Sequence, residues 1–288
     1  MPYLIGHDDT SYGFLGCACS SPSIRIRLGE AQPGPSLLRR ESQPPRVTLY
    51  VSIPLGGESP APAMTGIFVP ANFRMQPELD LVLYLHGHHH NPPNDPPAQS
   101  IARYWNRAVH SYFDFREGVN ASGKNVILAA PTLGPRSESG RLIRPGGLDW
   151  YLGVVLAALQ QHGPFQSSGT ALHVHNLILA CHSGGGWPMR QLATLPSRNA
   201  AAIRECWGFD CLYNRGDEDA WSRWAKAHPS SRLYIHYGSG GTQTKSEALR
   251  SMRVPNVFVE GRASLAHNLV PKTHWLQRLQ SATFLAST

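Results

Sequence analysis

Leu177-Ile178-Leu179-Ala180-Cys181-His182-Ser183-Gly184-Gly185-Gly186 passes from an apolar run straight into a serine followed by three glycines. A continuous apolar run ended by a turn signal reads as a strand buried on both faces. A helical pattern over residues 189–195 follows closely. A strand that feeds a helix through so short a turn is one half of a βα unit, so its neighbours should be built the same way. They are. Upstream, Leu81-Val82-Leu83-Tyr84-Leu85 is a second buried run, and Val126-Ile127-Leu128-Ala129-Ala130 a third. Helical patterns fall over 101–112 and 148–161. Downstream, strands over 205–209, 233–237 and 256–259 alternate with helices over 220–227, 245–252 and 271–279.

Ahead of these units, residues 47–53 and 65–69 read as a pair of antiparallel strands. The pattern predicts an α/β protein with an open, mostly parallel sheet of about eight strands and helices on both faces. It covers residues 46–288 as a single domain. Residues 1–45 carry Pro33, Pro35, Pro44 and Pro45, with one short alternating segment over 23–28 that would serve as an edge strand. This stretch is expected to be an extension packed on or beside the core.

Composition narrows the class of protein. In 288 residues, 41% are apolar, enough for a sizeable core, and 16% are charged, against about 25% in an average globular protein. No apolar run approaches the roughly 20 residues needed to span a bilayer. A net charge of +7 raises the question of nucleic acid. All but four of the 26 basic residues are arginines, however, and they are scattered from Arg25 to Arg278 without a dense block or recognition motif. No nucleic-acid partner is expected. The five cysteines form no C-x-x-C pair, and reduced, buried thiols are favoured over a Cys206–Cys211 bridge. Asp8 and Asp9 stand where the apolar part of an export signal would run, so a cytoplasmic location is expected, or a secreted one for a trimmed chain.

In parallel sheets function collects beyond the carboxyl ends of the strands. Ser183 stands there, on a sharp strand-to-helix turn with small neighbours. A serine hydroxyl is a poor nucleophile until a base takes its proton, so a histidine and an acid should converge on it. Cys181-x-Ser183-x-Gly185 resembles the G-x-S-x-G nucleophile elbow of the α/β-hydrolase superfamily, with Cys181 replacing the first glycine. The resemblance implies that fold, an acid after the sixth or seventh strand and a histidine in the last strand-to-helix loop.

Asp210 directly follows the strand over 205–209 and is the acid so implied, while Asp217 and Asp219 read as caps of the next helix. His267, in Ser264-Leu265-Ala266-His267-Asn268-Leu269, is the base so implied, with His274 as the competing choice. The order Ser183, Asp210, His267 is the superfamily's. His86-Gly87 after the strand over 81–85 resembles the oxyanion segment, where the N–H of Gly87 or His88 would join that of Gly184.

His86, His88, His89 and His90 also raise a metal site. Adjacent histidines in extended chain splay to opposite faces, and no H-E-x-x-H pattern is present, so neither metal nor cofactor is expected. A Rossmann site is excluded by the missing G-x-G-x-x-G. Trp187 and Tyr213 are the expected substrate-binding aromatics, whereas Trp150, Tyr151 and Trp207 read mainly as core. The loop over 132–147 is polar and carries several arginines, unlike a lipase lid. These features together point to a serine hydrolase for a small or medium carboxylic ester. Amide, lactone or thioester cleavage on the same triad, and a non-catalytic hydrolase-like binding protein, are the alternatives.

Overall fold

The computed structural model describes residues 34–43, 46–56, 63–88, 100–105, 114–167 and 169–288, which belong to one compact unit. The expected strand over 23–28 lies outside the described residues. Nine strands form one sheet: β1 (Leu37–Gln43), β2 (Arg46–Ser52), β3 (Met64–Val69), β4 (Glu78–Leu85), β5 (Val126–Pro131), β6 (His173–His182), β7 (Ile203–Phe209), β8 (Arg232–Tyr237) and β9 (Val257–Gly261). Their spatial order is β1-β2-β3-β5-β4-β6-β7-β8-β9. β1, β2 and β3 pair antiparallel, as does β3 with β5, and every pairing from β5 through β4 to β9 is parallel.

The strand beyond the expected eight is β1. It pairs with β2 from Gln43↔Arg46 outward, so the boundary expected after residue 45 falls inside a hairpin of the sheet. Its residues are largely exposed, and Arg39, Arg40 and Glu41 put charge on an edge that would otherwise invite pairing with another chain.

Period-two alternation sends each parallel strand's side chains into two cores. Leu81, Leu83, Leu85, Leu177, Leu179 and Cys181 face one side, against α3 (Gly147–His162), α4 (Gly186–Thr194), α5 (Asp217–Ala227) and α6 (Gln243–Ser251). Val82, Tyr84, Ile178, Ala180, Trp207 and Phe209 face the other, against α1 (Ile101–Tyr104), α2 (Phe115–Ala121) and α7 (Val270–Ser281). Trp275 of α7 anchors the second core. Its ring meets Tyr84, Phe115, Trp207 and Phe209, and its Nε1–H donates to the Phe115 carbonyl at 3.0 Å. Removing such a side chain costs about 3–5 kcal/mol.

Local chemistry sets the helix starts. α3 and α5 begin after Gly146 and Gly216, both at positive φ, and α7 carries Pro271 in its first turn. Asp217, expected as a cap, is instead the first residue of α5. One carboxylate oxygen accepts the Asn214 N–H at 2.8 Å, and the other pairs with Arg190 at 2.7 Å.

Candidate active site

β6 delivers Ser183 to the top of the sheet. His182 is still extended, Ser183 turns to φ +54°, and after one short turn α4 begins at Gly186. A non-glycine residue at such φ is uncommon and holds its side chain out of the strand line. The neighbouring glycines are dictated by crowding. A Cβ on Gly185 would lie 2.3 Å from the Leu85 carbonyl oxygen, and one on Gly186 2.4 Å from that of Cys211. The elbow is thus wedged between the ends of β4 and β7.

The segment after β4 closes over it. A Cβ on Gly87 would lie 2.7 Å from the Ser183 Cβ, so only glycine lets this backbone pass. His86, fully buried, secures the passage. Its Nδ1–H donates to the Gly87 carbonyl at 2.8 Å, and its Nε2 accepts the Leu133 N–H at 2.8 Å. Both ring nitrogens are thereby committed to backbone, so His86 is no metal ligand. The Gly87 N–H meets the Tyr104 hydroxyl. His89 and His90 lie outside the described residues.

Asp210 directly follows β7, also at positive φ (+50°), with its N–H on the His236 carbonyl at 2.7 Å. Its carboxylate is 2% exposed, and His267 Nδ1–H donates to it at 2.6 Å. The other oxygen accepts the Thr242 hydroxyl and, at 3.4 Å, the Gly238 N–H. Burial alone would raise this carboxyl's pKa, but the hydrogen bonds from His267 and Thr242 outweigh it and hold the group below its ordinary value. Asp210 is therefore charged and fully engaged.

His267 opens a short turn between β9 and α7, with its side chain 34% exposed. The His182 ring lies 4.5 Å from it, and His182 Nε2–H donates to the His267 carbonyl at 3.3 Å. Burial first, then electrostatic repulsion from the His267 ring, push the His182 pKa down to about 3, so His182 is a neutral prop under the loop. The Tyr213 hydroxyl lies 3.4 Å from His267 Nδ1. Burial and the Asp210 charge raise Tyr213 to about 12, which keeps it neutral.

Of the residues expected from sequence, Ser183, Asp210, His267, Gly184, Gly87 and His88 all gather at this one edge. Trp187 and Tyr213, 42% and 43% exposed, border a cavity of about 510 Å³ together with His88, Arg136, Ser183, Gly184, Cys211 and Asn214. Trp207 and Tyr151 are core, and His274 is buried beneath α7. Cys181, Cys206 and Cys211 are free thiols. Thr242 and His182 are supports that sequence alone did not mark.

No protein-family model matches the chain, and no curated protein matches its sequence. Solved structures do resemble it. A ferulic acid esterase is 13% identical over 82% of this chain and 96% of its own, with a TM-score of 0.53. A mutant of the feruloyl esterase module from Clostridium thermocellum, complexed with sinapinate, is 9% identical over 86% and 94%, with a TM-score of 0.49. The chain has the α/β-hydrolase fold.

Proposed function

We propose that the protein is a serine hydrolase that cleaves a carboxylic ester through an acyl-enzyme. One observation carries the reading: a buried, ionised Asp210 gripping His267 at 2.6 Å, beside a serine held at positive φ on a strand-to-helix elbow. With Nδ1–H committed to Asp210, the His267 tautomer leaves Nε2 as an acceptor, the form a general base requires.

Ser183 Oγ then attacks the ester carbonyl while His267 takes its proton. Asp210 stabilises the imidazolium, which next protonates the departing alcohol. Water, activated by the same imidazole, releases the acid. The oxyanion needs two donors. One is the Gly184 N–H, at the start of the elbow's helical turn. For the other, His86 supports a choice: it holds the Gly87 carbonyl, and a trans peptide directs the His88 N–H the opposite way. With the Gly87 N–H occupied by Tyr104, His88 is the second donor. No step calls for a metal or cofactor.

A cavity of about 510 Å³ with Trp187 and Tyr213 at its border suits a small or medium ester bearing an apolar or aromatic group. The ferulic acid esterase of the same fold carries an aromatic acid in its name, which agrees with that border. The experiment is fluorophosphonate labelling with peptide mapping, followed by turnover of a graded panel of alkyl and aromatic esters. An adduct on Ser183 and turnover of short or aromatic esters is the expected result. An adduct elsewhere, or labelling without turnover of any ester, overturns the reading.

A further inference from the structure

On the α7 side of the sheet three potential ligands converge. His236 of β8 and Glu260 of β9 are paired neighbours in the parallel register, and His274 descends from α7. The two imidazoles are 4% and 3% exposed and lie face to face, with centroids 4.0 Å apart. Phe209 covers the other face of His236 at 5.7 Å. Neither nitrogen of either ring has a well-formed hydrogen bond. Buried polar atoms are nearly always paired, so four unsatisfied ring nitrogens in one place call for an explanation.

Both Nδ1 atoms open toward Glu260 Oε2, at 3.4 Å from His236 and 3.9 Å from His274. These separations are long for hydrogen bonds but close to the spacing of ligands that share one ion. Metal bonds of 2.0–2.2 Å in a tetrahedron place ligand atoms roughly 3.3 Å apart. We propose that His236, Glu260 and His274 bind one divalent ion of the zinc type, with the fourth position taken by water on the exposed Glu260 side.

The ligand chemistry agrees with this. Two imidazoles and one carboxylate suit zinc, cobalt or nickel better than magnesium or calcium. A histidine binds such an ion through a ring-nitrogen lone pair, and none of these four nitrogens is committed to a well-formed hydrogen bond. Arg278 and Arg262 oppose a cation here. Arg278 is turned to other partners, lying over the Tyr234 ring at 3.4 Å and 3.5 Å from Glu205. Gln277 is the other polar group beside His274. Binding also asks the rings to tilt out of their stack, because an ion lies near the plane of each imidazole it touches. Since the His236 carbonyl accepts the Asp210 N–H, an ion here would brace the backbone that carries the acid without taking part in ester chemistry.

The test uses the untagged full chain, stripped with a chelator and titrated with zinc chloride against a chromogenic indicator. Cobalt substitution and thermal melting serve as further readouts. One zinc per chain, visible cobalt d–d bands and a raised melting temperature are expected. Glu260→Gln changes a largely exposed group and should keep the fold while weakening zinc roughly 10-fold or more, and His274→Gln should do likewise. No saturable zinc binding, or binding that both variants leave unchanged, overturns the proposal.

Discussion

Ser183 and Asp210 share an unusual property: both are non-glycine residues at positive φ, and each directly follows a strand of the parallel sheet. Such conformations cost energy and persist where packing enforces them, most often at working sites. Ser183→Ala should lower turnover by about 10⁴-fold and abolish probe labelling, since only binding and oxyanion contributions survive. His267→Ala should likewise stop acylation. His274→Ala should keep the turnover of each folded molecule and lose thermal stability, because its ring is buried under α7. Activity and melting of the two variants, measured side by side, separate these roles. Thr242→Val removes a buried hydroxyl from the Asp210 carboxylate and should reduce kcat with KM unchanged, read in steady-state kinetics. The chemistry-bearing residues were legible because each follows a strand that its own composition reveals. Thr242 and His182 were not. Their roles exist only because β8 delivers its following loop beside Asp210 and the last loop settles on His182, pairings that no local pattern encodes.

Elements announce themselves in sequence in proportion to how completely they are buried. β4 and β6 each hold an unbroken apolar run, residues 81–85 and 177–181, readable from composition alone. β1, Leu37-Leu38-Arg39-Arg40-Glu41-Ser42-Gln43, lies exposed at an edge and carries no alternation, so only its register with β2 defines it. α2 is seven residues long, with Phe115 and Val119 as its buried pair and Gly118 between them, too short for a period to appear. α3 shows how an element is fastened once formed. Asp149 in its first turn accepts from the Ser197 hydroxyl, the Arg198 and Asn199 N–H groups and the Asn199 amide. Burial opposes ionisation, yet these bonds bring its pKa down to about 2. The folded value lies below the unfolded one of about 3.9, so the stabilisation is complete above that pH and fades as pH falls toward 2. Asp149→Asn should therefore lower the melting temperature at neutral pH, with the gap to wild type closing below pH 4 in a calorimetric series.

At the scale of the whole molecule the net charge is +7, and among the described residues several of its arginines serve local contacts. Arg116 reaches Glu41, Thr48 and the Trp105 carbonyl, and Arg190 pairs with Asp217. Exhaustive dialysis against a chelator should leave ester turnover unchanged, because the proposed base is an imidazole oriented by a carboxylate. Measuring rate and melting temperature on the same dialysed sample separates a structural ion from a catalytic one.

The strand order also bears on how the molecule comes into being. β4 sits between β5 and β6, and the Asn176–Asp80 hydrogen bond joins residues 96 positions apart. Asp210 and His267 meet across 57 positions, and His86 and Leu133 across 47. Long loops must close before any of these contacts gives a return, so the chain should refold slowly and through collapsed intermediates. Under the proposed function, a chain assembled this way has no working precursor: helices and half the sheet can form while Ser183 still lacks His267. Recovery of turnover after dilution from denaturant should then lag the return of helical signal and coincide with burial of Trp275, so that activity becomes a clock for the last docking event.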